Sequence, residues 1–236
     1  MSRIFEELDR QATPIGEISL RRRLEPTLQV DLFEVKIGED GLMSSLITDG
    51  EEAVSTLGLA ATANQSLDVV VGGLGLGYTA QTALDDPRVR SLRVVDALAP
   101  VIDWHERHLV PLGESLTSDP RCDLILGDFF ELAANGFELG GNAPSTFDAI
   151  LLDIDHSPRH LLDPKNAAFY EERGTRLLAS YLKPGGVFSL WSNDEPDDDY
   201  LSVLQNSFGQ ASAEIVTFPN PLTGNLTSST IYVATV

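Results

Sequence analysis

The chain has 236 residues, 42% of them hydrophobic and 22% charged, which suits one medium-sized globular domain or a domain with a small extension. Sixteen basic against 36 acidic residues leave a formal charge of −20, which disfavours nucleic acid and anionic membrane as partners; it would draw in a small cationic substrate, or serve solubility alone. No apolar run is long enough for a transmembrane helix, MSRIFEELDRQ lacks the apolar stretch of a signal peptide, and the lone Cys122 has no internal disulfide partner, so a cytoplasmic location is expected.

Three β-like runs come first, Ile18–Leu24, Leu28–Ile37 and Leu42–Thr48, separated by Glu25-Pro26 and by the hairpin-type Gly38-Glu39-Asp40-Gly41. Asp49-Gly50 opens a helical stretch through Ala63. Residues 1–64 thus read as a small antiparallel β unit with a lead-in helix, and residues 65–236 as the main domain. From Leu67 onward, short apolar runs alternate with helix-length amphipathic segments. Leu67–Val71, Leu92–Val95, Cys122–Leu126, Ala149–Leu152 and Val187–Trp191 read as buried parallel strands covered on both faces. Ala213–Phe218 and Ser229–Val236 leave no room for a helix between them and are expected to pair antiparallel. The expected fold is therefore α/β, a Rossmann-like, mostly parallel seven-stranded sheet with a C-terminal antiparallel hairpin, the layout of class I methyltransferase-type folds.

The first strand of that sheet runs into Gly72-Gly73-Leu74-Gly75-Leu76-Gly77-Tyr78 and then a helix start. Glycine lets the backbone turn sharply and approach a ligand closely, and ligands of open α/β sheets lie beyond the carboxyl ends of the strands. Gly73, Gly75 and Gly77 are the candidate cradle. The dinucleotide fingerprint needs a further glycine where Tyr78 stands, so an adenosyl ligand without a pyrophosphate fits better. Asp96 ends the next strand, where a carboxylate can accept from both ribose hydroxyls; a helix N-cap is its alternative reading. Asp128 follows the third strand, placed to accept from an adenine amino group while Phe129 packs the ring; a turn residue is the alternative.

With these residues in place, the chain resembles the polyamine aminopropyltransferase (spermidine synthase) family over roughly residues 65–190. The resemblance rests on Val69–Gly77, the strand ending in Asp96, Asp119-Pro120-Arg121 leading to Gly127-Asp128, Phe147–Asp153, Phe169-Tyr170 and Leu182–Val187. It implies S-adenosylmethionine or its decarboxylated form as cofactor, a small cationic amine as acceptor, and transfer of an aminopropyl or methyl group. It further implies a catalytic Asp153, with Asp155 and His156 supporting it from the same loop, and an N-terminal β unit that supports a homodimer. A carboxylate at Asp153 can hold an alkylammonium and take the proton that blocks its lone pair; a structural cap is the other reading.

The chain departs from the family pattern in three places. Asp153-Ile154-Asp155-His156-Ser157-Pro158 replaces D-[ST]-[ST]-D-P, Ala53–Leu57 stands where Tyr-His-Glu is expected, and Leu98 replaces a second acid two residues after Asp96. These departures bear on the acceptor and, to a lesser degree, on the decarboxylated form of the cofactor, and leave adenosyl binding largely untouched. Methyl transfer from intact S-adenosylmethionine, or a non-catalytic cofactor-binding scaffold, are the alternatives. Asp153, Asp155, His156 and His160 fall within one loop, which argues against a metal cage, so no metal is expected. His105 and His108 read as surface residues of a helix. Asp194–Asp199 reads as an acidic helix start.

Overall fold

The computed structural model describes residues 5–140 and 146–236; the first four residues of the N-terminal stretch lie outside it. Four antiparallel strands come first, β1 (Phe5–Thr13), β2 (Gly16–Glu25), β3 (Val30–Ile37) and β4 (Asp40–Ser44), in spatial order β1-β2-β3-β4. Strand β1 was not expected. Its sequence FEELDRQAT carries charges along both faces, so no period-2 apolar signal marks it, and pairing with β2 draws it into the sheet. The third expected run ends earlier than read, because the ladder with β3 closes at Ser44.

Helix α1 (Asp49–Ala61) follows, then β5 (Leu67–Gly72), α2 (Tyr78–Asp85), β6 (Val89–Asp96), α3 (Ala99–Glu106), α4 (Gly113–Ser118), β7 (Cys122–Leu126) and α5 (Phe129–Asn135). Next come β8 (Phe147–Leu152), α6 (Ala167–Tyr170), α7 (Glu172–Ala179), β9 (Leu182–Ser192), α8 (Asp198–Ser207), β10 (Gln210–Pro219) and β11 (Leu226–Thr235). The last seven strands form one sheet in the order β10-β11-β9-β8-β5-β6-β7. Strands β9, β8, β5, β6 and β7 run parallel, and β11 and β10 close the edge antiparallel, as expected.

Every residue of β5 and β8 is buried, which is why their sequences are unbroken apolar runs apart from Asp68 and Asp148. These two strands lie side by side at the centre, with β6 on one flank and β9 on the other. Strand order reverses between them, and a crevice must open at their carboxyl ends. Helix α1 packs on the large sheet: Ser189 Oγ donates to the Val54 carbonyl at 2.8 Å, and a Cβ on Gly58 would meet Ser189 and Leu151 at 2.8 and 2.9 Å. Ile18, Leu20 and Val35 of the small sheet share one apolar cluster with Val54, Leu74 and Trp104, so the two sheets sit on a common core.

Candidate active site at the switch point

The crevice is a cavity of about 240 Å³ at the carboxyl ends of β5, β6 and β8, roofed in part by Leu42 and Met43 of the small sheet. The glycine loop forms its floor. Gly73 and Gly75 have φ of 93° and 51°, conformations that side chains rarely adopt. A Cβ on Gly73 would stand 2.1 Å from the Asp153 carbonyl oxygen, and one on Gly75 would stand 3.2 Å from Met43 Sδ. Gly77 closes the loop as the cap of α2. The loop is therefore pressed between β8's exit and β4, and only bare backbone fits there.

Asp96 does not cap α3, whose N-cap is Leu98. Its two oxygens accept from Leu74 N at 3.0 Å and from Leu98 N at 2.8 Å, so it ties the glycine loop to the exit of β6. Burial pushes its pKa up, against the pull of those backbone N–H groups. Asp128 is the N-cap of α5, accepting from Phe130 N and Glu131 N, and it also pairs with Lys165 Nζ at 2.9 Å. Its carboxylate still borders the cavity. Phe129 lies mostly in the core, edge-on to Phe137 and Phe169 with ring centroids 5.2 and 5.8 Å apart, and its ring presses against Gly72. Half-buried Phe130 borders the same cavity.

The loop after β8 separates its three candidates. Asp153 N donates to the Gly72 carbonyl at 2.8 Å, which holds the residue against the glycine loop. Its carboxylate lines the cavity and accepts from Thr79 Oγ at 2.7 Å; burial pushes its pKa up to about 6, offset in part by that hydroxyl. His156 also lines the cavity. Asp155 does not. It is 1% exposed, and its oxygens accept from Leu162 N at 2.7 Å, Asn166 Nδ2 at 3.1 Å and Tyr170 Oη at 2.9 Å. Its side chain is an anchor for the segment 155–170. In extended backbone residues 153 and 155 would point to the same side; the chain bends after β8 and parts them, and no spacing rule reveals that bend.

His105 is a correction. It is fully buried, and Nε2–H donates to the Gly75 carbonyl at 3.0 Å, supporting the glycine loop from below. Burial lowers its pKa, offset in part by this bond, and a neutral ring is the form that fits. Glu106 and Arg107 are exposed, but the helix phase turns His105 inward beside buried Trp104. His108 is exposed, as read. Asp197, within the acidic run, caps α8 and pairs with Arg159 at 2.5 Å, so that run serves a helix start.

Sequence reasoning missed several residues of the cavity. Glu51, in the first turn of α1, borders it, and burial together with the charge of Asp153 pushes its pKa up to about 8. Acids in a first helical turn are common for dipole reasons, so its identity alone gave no signal. Trp191 Nε1 and the 97%-buried Asn166's Oδ1 are buried polar atoms without a hydrogen-bond partner among the described residues, and both residues face the cavity. A buried donor and acceptor left open are costly unless a ligand completes them. With the Cβ-free cradle of Gly73 and Gly75, they show a cavity whose chemistry fits a polar, ring-bearing guest such as an adenosyl group.

A mostly parallel seven-stranded sheet with a glycine loop and acids at the exits of successive strands is an open α/β fold with its crevice at the switch point. The chain belongs to the spermine/spermidine synthase family, whose domain model matches residues 50–228. It is 29% identical over 163 residues to polyamine aminopropyltransferase 2 of Pseudomonas aeruginosa, covering 65% of this chain and 43% of that protein. It is 30% identical over 159 residues to the polyamine aminopropyltransferase of Prochlorococcus marinus, covering 65% of this chain and 51% of that one. The chain thus spans about half the length of these curated relatives. Among solved structures, the spermidine synthase of Thermotoga maritima superimposes with a TM-score of 0.72 at 16% identity, over 97% of this chain and 72% of that one, a likeness of fold.

Proposed function

We propose that the chain binds decarboxylated S-adenosylmethionine at the switch point and transfers its aminopropyl group to a small amine. The observation that carries this reading is the charge of the cavity wall. Among the described lining residues, Glu51, Asp96, Asp128, Asp153 and Asp163 are acids, and Lys165 is the single lysine. Lys165 is itself engaged by Asp128 and Asp163, at 2.9 and 3.5 Å. The α-carboxylate of intact S-adenosylmethionine would meet like charge there without a free lysine or arginine to offset it. The decarboxylated compound and an amine acceptor are both cationic, and suit that wall.

In this reading Gly73 and Gly75 admit the adenosyl group to the backbone, Asp96 accepts from the ribose, and Asp128 with the Phe129-Phe130 pair borders the adenine. The bound sulfonium would supply an electrophilic carbon that takes an amine's lone pair as the carbon–sulfur bond's electrons return to sulfur. Asp153 holds the acceptor's nitrogen beside the glycine loop and takes its proton, leaving the lone pair free. Alignment by the cavity walls supplies the rest of the rate. Asp155 and His156 act on that loop, Asp155 by anchoring it and His156 by bordering the acceptor's path.

Calorimetric titration with decarboxylated S-adenosylmethionine, S-adenosylmethionine and 5′-methylthioadenosine tests the assignment. The first and third should bind, and the second at least about tenfold more weakly, as an uncompensated like charge predicts. Equal or tighter binding of intact S-adenosylmethionine would overturn aminopropyl transfer in favour of methyl transfer.

A further inference from the structure

We infer that Glu51 is a further residue of the acceptor site: with Asp153 it forms a two-carboxylate seat for the acceptor's ammonium group. This rests on the reading that the cavity takes a cationic amine.

Three acids stand in the first turn of α1, Asp49, Glu51 and Glu52. Asp49 and Glu52 are exposed, and Glu52 accepts from the Thr48 hydroxyl at 2.7 Å. Those two satisfy what the helix dipole asks of a first turn. Glu51 instead turns inward, because α1 is pinned tightly to the sheet. A Cβ on the adjacent Gly50 would lie 2.5 Å from Trp191 Nε1 and 3.0 Å from Ser229 Oγ. The Thr79 hydroxyl lies 2.7 Å from Asp153 Oδ2 and 3.3 Å from the Glu51 main-chain carbonyl, which holds the start of α1 beside the exit of β8.

No side chain among the described residues donates to the Glu51 carboxylate. The groups acting on it are acids or neutral, Asp153 at the exit of β8, Tyr78 of α2, and Asp49 and Glu52 of its own helix, and His156 and Trp191 line the same cavity. Two carboxylates in one cavity with no lysine or arginine between them do not both ionise readily. Burial and the neighbouring charge hold Glu51 up to about 8, and burial holds Asp153 up to about 6, so near pH 7 the pair retains about one proton. An alkylammonium carries the same single charge and three N–H donors. It replaces that proton, both carboxylates ionise around it, and the proton leaves to solvent. Glu51 then keeps the cation seated while Asp153 takes the proton that frees the nitrogen.

The test uses the protein saturated with 5′-methylthioadenosine and titrated with 1,3-diaminopropane, 1,4-diaminobutane and spermidine in two buffers of different ionisation heat. The wild type should release about one proton per amine bound at pH 7. E51Q should lose that release and bind the amine at least about tenfold more weakly, with affinity for 5′-methylthioadenosine unchanged and E51D restoring part of the loss. In parallel, carboxyl carbon NMR of the free protein should show Glu51 titrating near pH 8 and moving down in D153N. Unchanged amine binding by E51Q overturns the inference alone. A wild type that holds 5′-methylthioadenosine but none of the three amines overturns the amine reading and the inference together. A wild type that holds no adenosyl compound overturns the adenosyl reading, and amine titration of the free protein then decides Glu51.

Stability provides a folding control. Raised carboxyl pKa values contribute stability below the ordinary range, about pH 4, that is lost as pH rises through 6 and 8. E51Q should therefore melt no lower than wild type at pH 8, and the gap should close in acid.

Discussion

Both ends of the central strands bury carboxylates, and they treat them in opposite ways. At the amino end, Asp68 of β5 and Asp148 of β8 share Lys183 Nζ at 2.7 and 2.6 Å. Asp68 also accepts from Arg90 and from Ser91 Oγ, and Asp148 from Asn64 Nδ2 and Asp68 N. Burial alone would raise the Asp68 pKa, but hydrogen bonds from Arg90, Lys183 and Ser91 outweigh it and bring it to about 2. At the carboxyl end, Asp153, Asp96 and Glu51 are also withdrawn from water, yet no lysine or arginine meets them, and all three are pushed up. Buried acids completed by their own fold stabilise it; buried acids left incomplete are where an external cation or donor fits. Charge count does not separate the two ends. Partnership does.

The comparison breaks first at Asp153. Asp153→Asn keeps the shape and removes the proton acceptor, so turnover with decarboxylated S-adenosylmethionine and an amine should fall by about 10²–10⁴-fold. Affinity for 5′-methylthioadenosine and the melting temperature at neutral pH should hold. If turnover survives intact, the carboxyl end is structural like the amino end, and the distinction collapses.

Lys183→Met probes the opposite end and should reverse that pattern. It strips a cation from two buried acids, at a cost of about 2–3 kcal/mol in denaturant unfolding. The figure lies below that for a fully buried pair because the Lys183 side chain is 29% exposed. The folded variant should bind 5′-methylthioadenosine like wild type. Loss of ligand affinity without loss of stability would show that the two ends are coupled rather than separate.

Asp96→Ala gives the smallest and most discriminating effect. It removes an acceptor from the ribose position and also frees Leu74 N and Leu98 N, so calorimetry should show binding weakened by about 1–2 kcal/mol. Asp96→Asn should recover part of that loss, because its amide oxygen still accepts from the backbone. Equal affinity in wild type and Asp96→Ala would remove Asp96 from the ligand site.

Regular elements of the large sheet were legible wherever burial on both faces leaves a continuous apolar run. Leu67–Val71 and Ala149–Leu152 read as buried parallel strands and lie at the centre of the sheet. The glycine loop was legible because three positions there need backbone that side chains resist. Strand β1 was not, since its place comes from hydrogen bonds to β2 and its side chains carry no pattern. His105 was misread as a surface residue because its partner, the Gly75 carbonyl, lies 30 residues away in the chain and leaves no local signal.

By itself, then, the sequence determined the run of strands in the large sheet, the sharp turn at Gly73–Gly77 and the acids that close successive strands. Those features are local: they follow from burial period, turn chemistry and the short reach of a residue along its own strand. Which acids work together was decided by the tertiary structure alone. It turned Asp155 into a bonded anchor through Asn166 and Tyr170, and it brought Glu51, from a helix 102 residues earlier in the chain than Asp153, to the same cavity. A carboxylate's role depends on what stands within hydrogen-bond reach and on how much water remains, and both are properties of packing between distant segments.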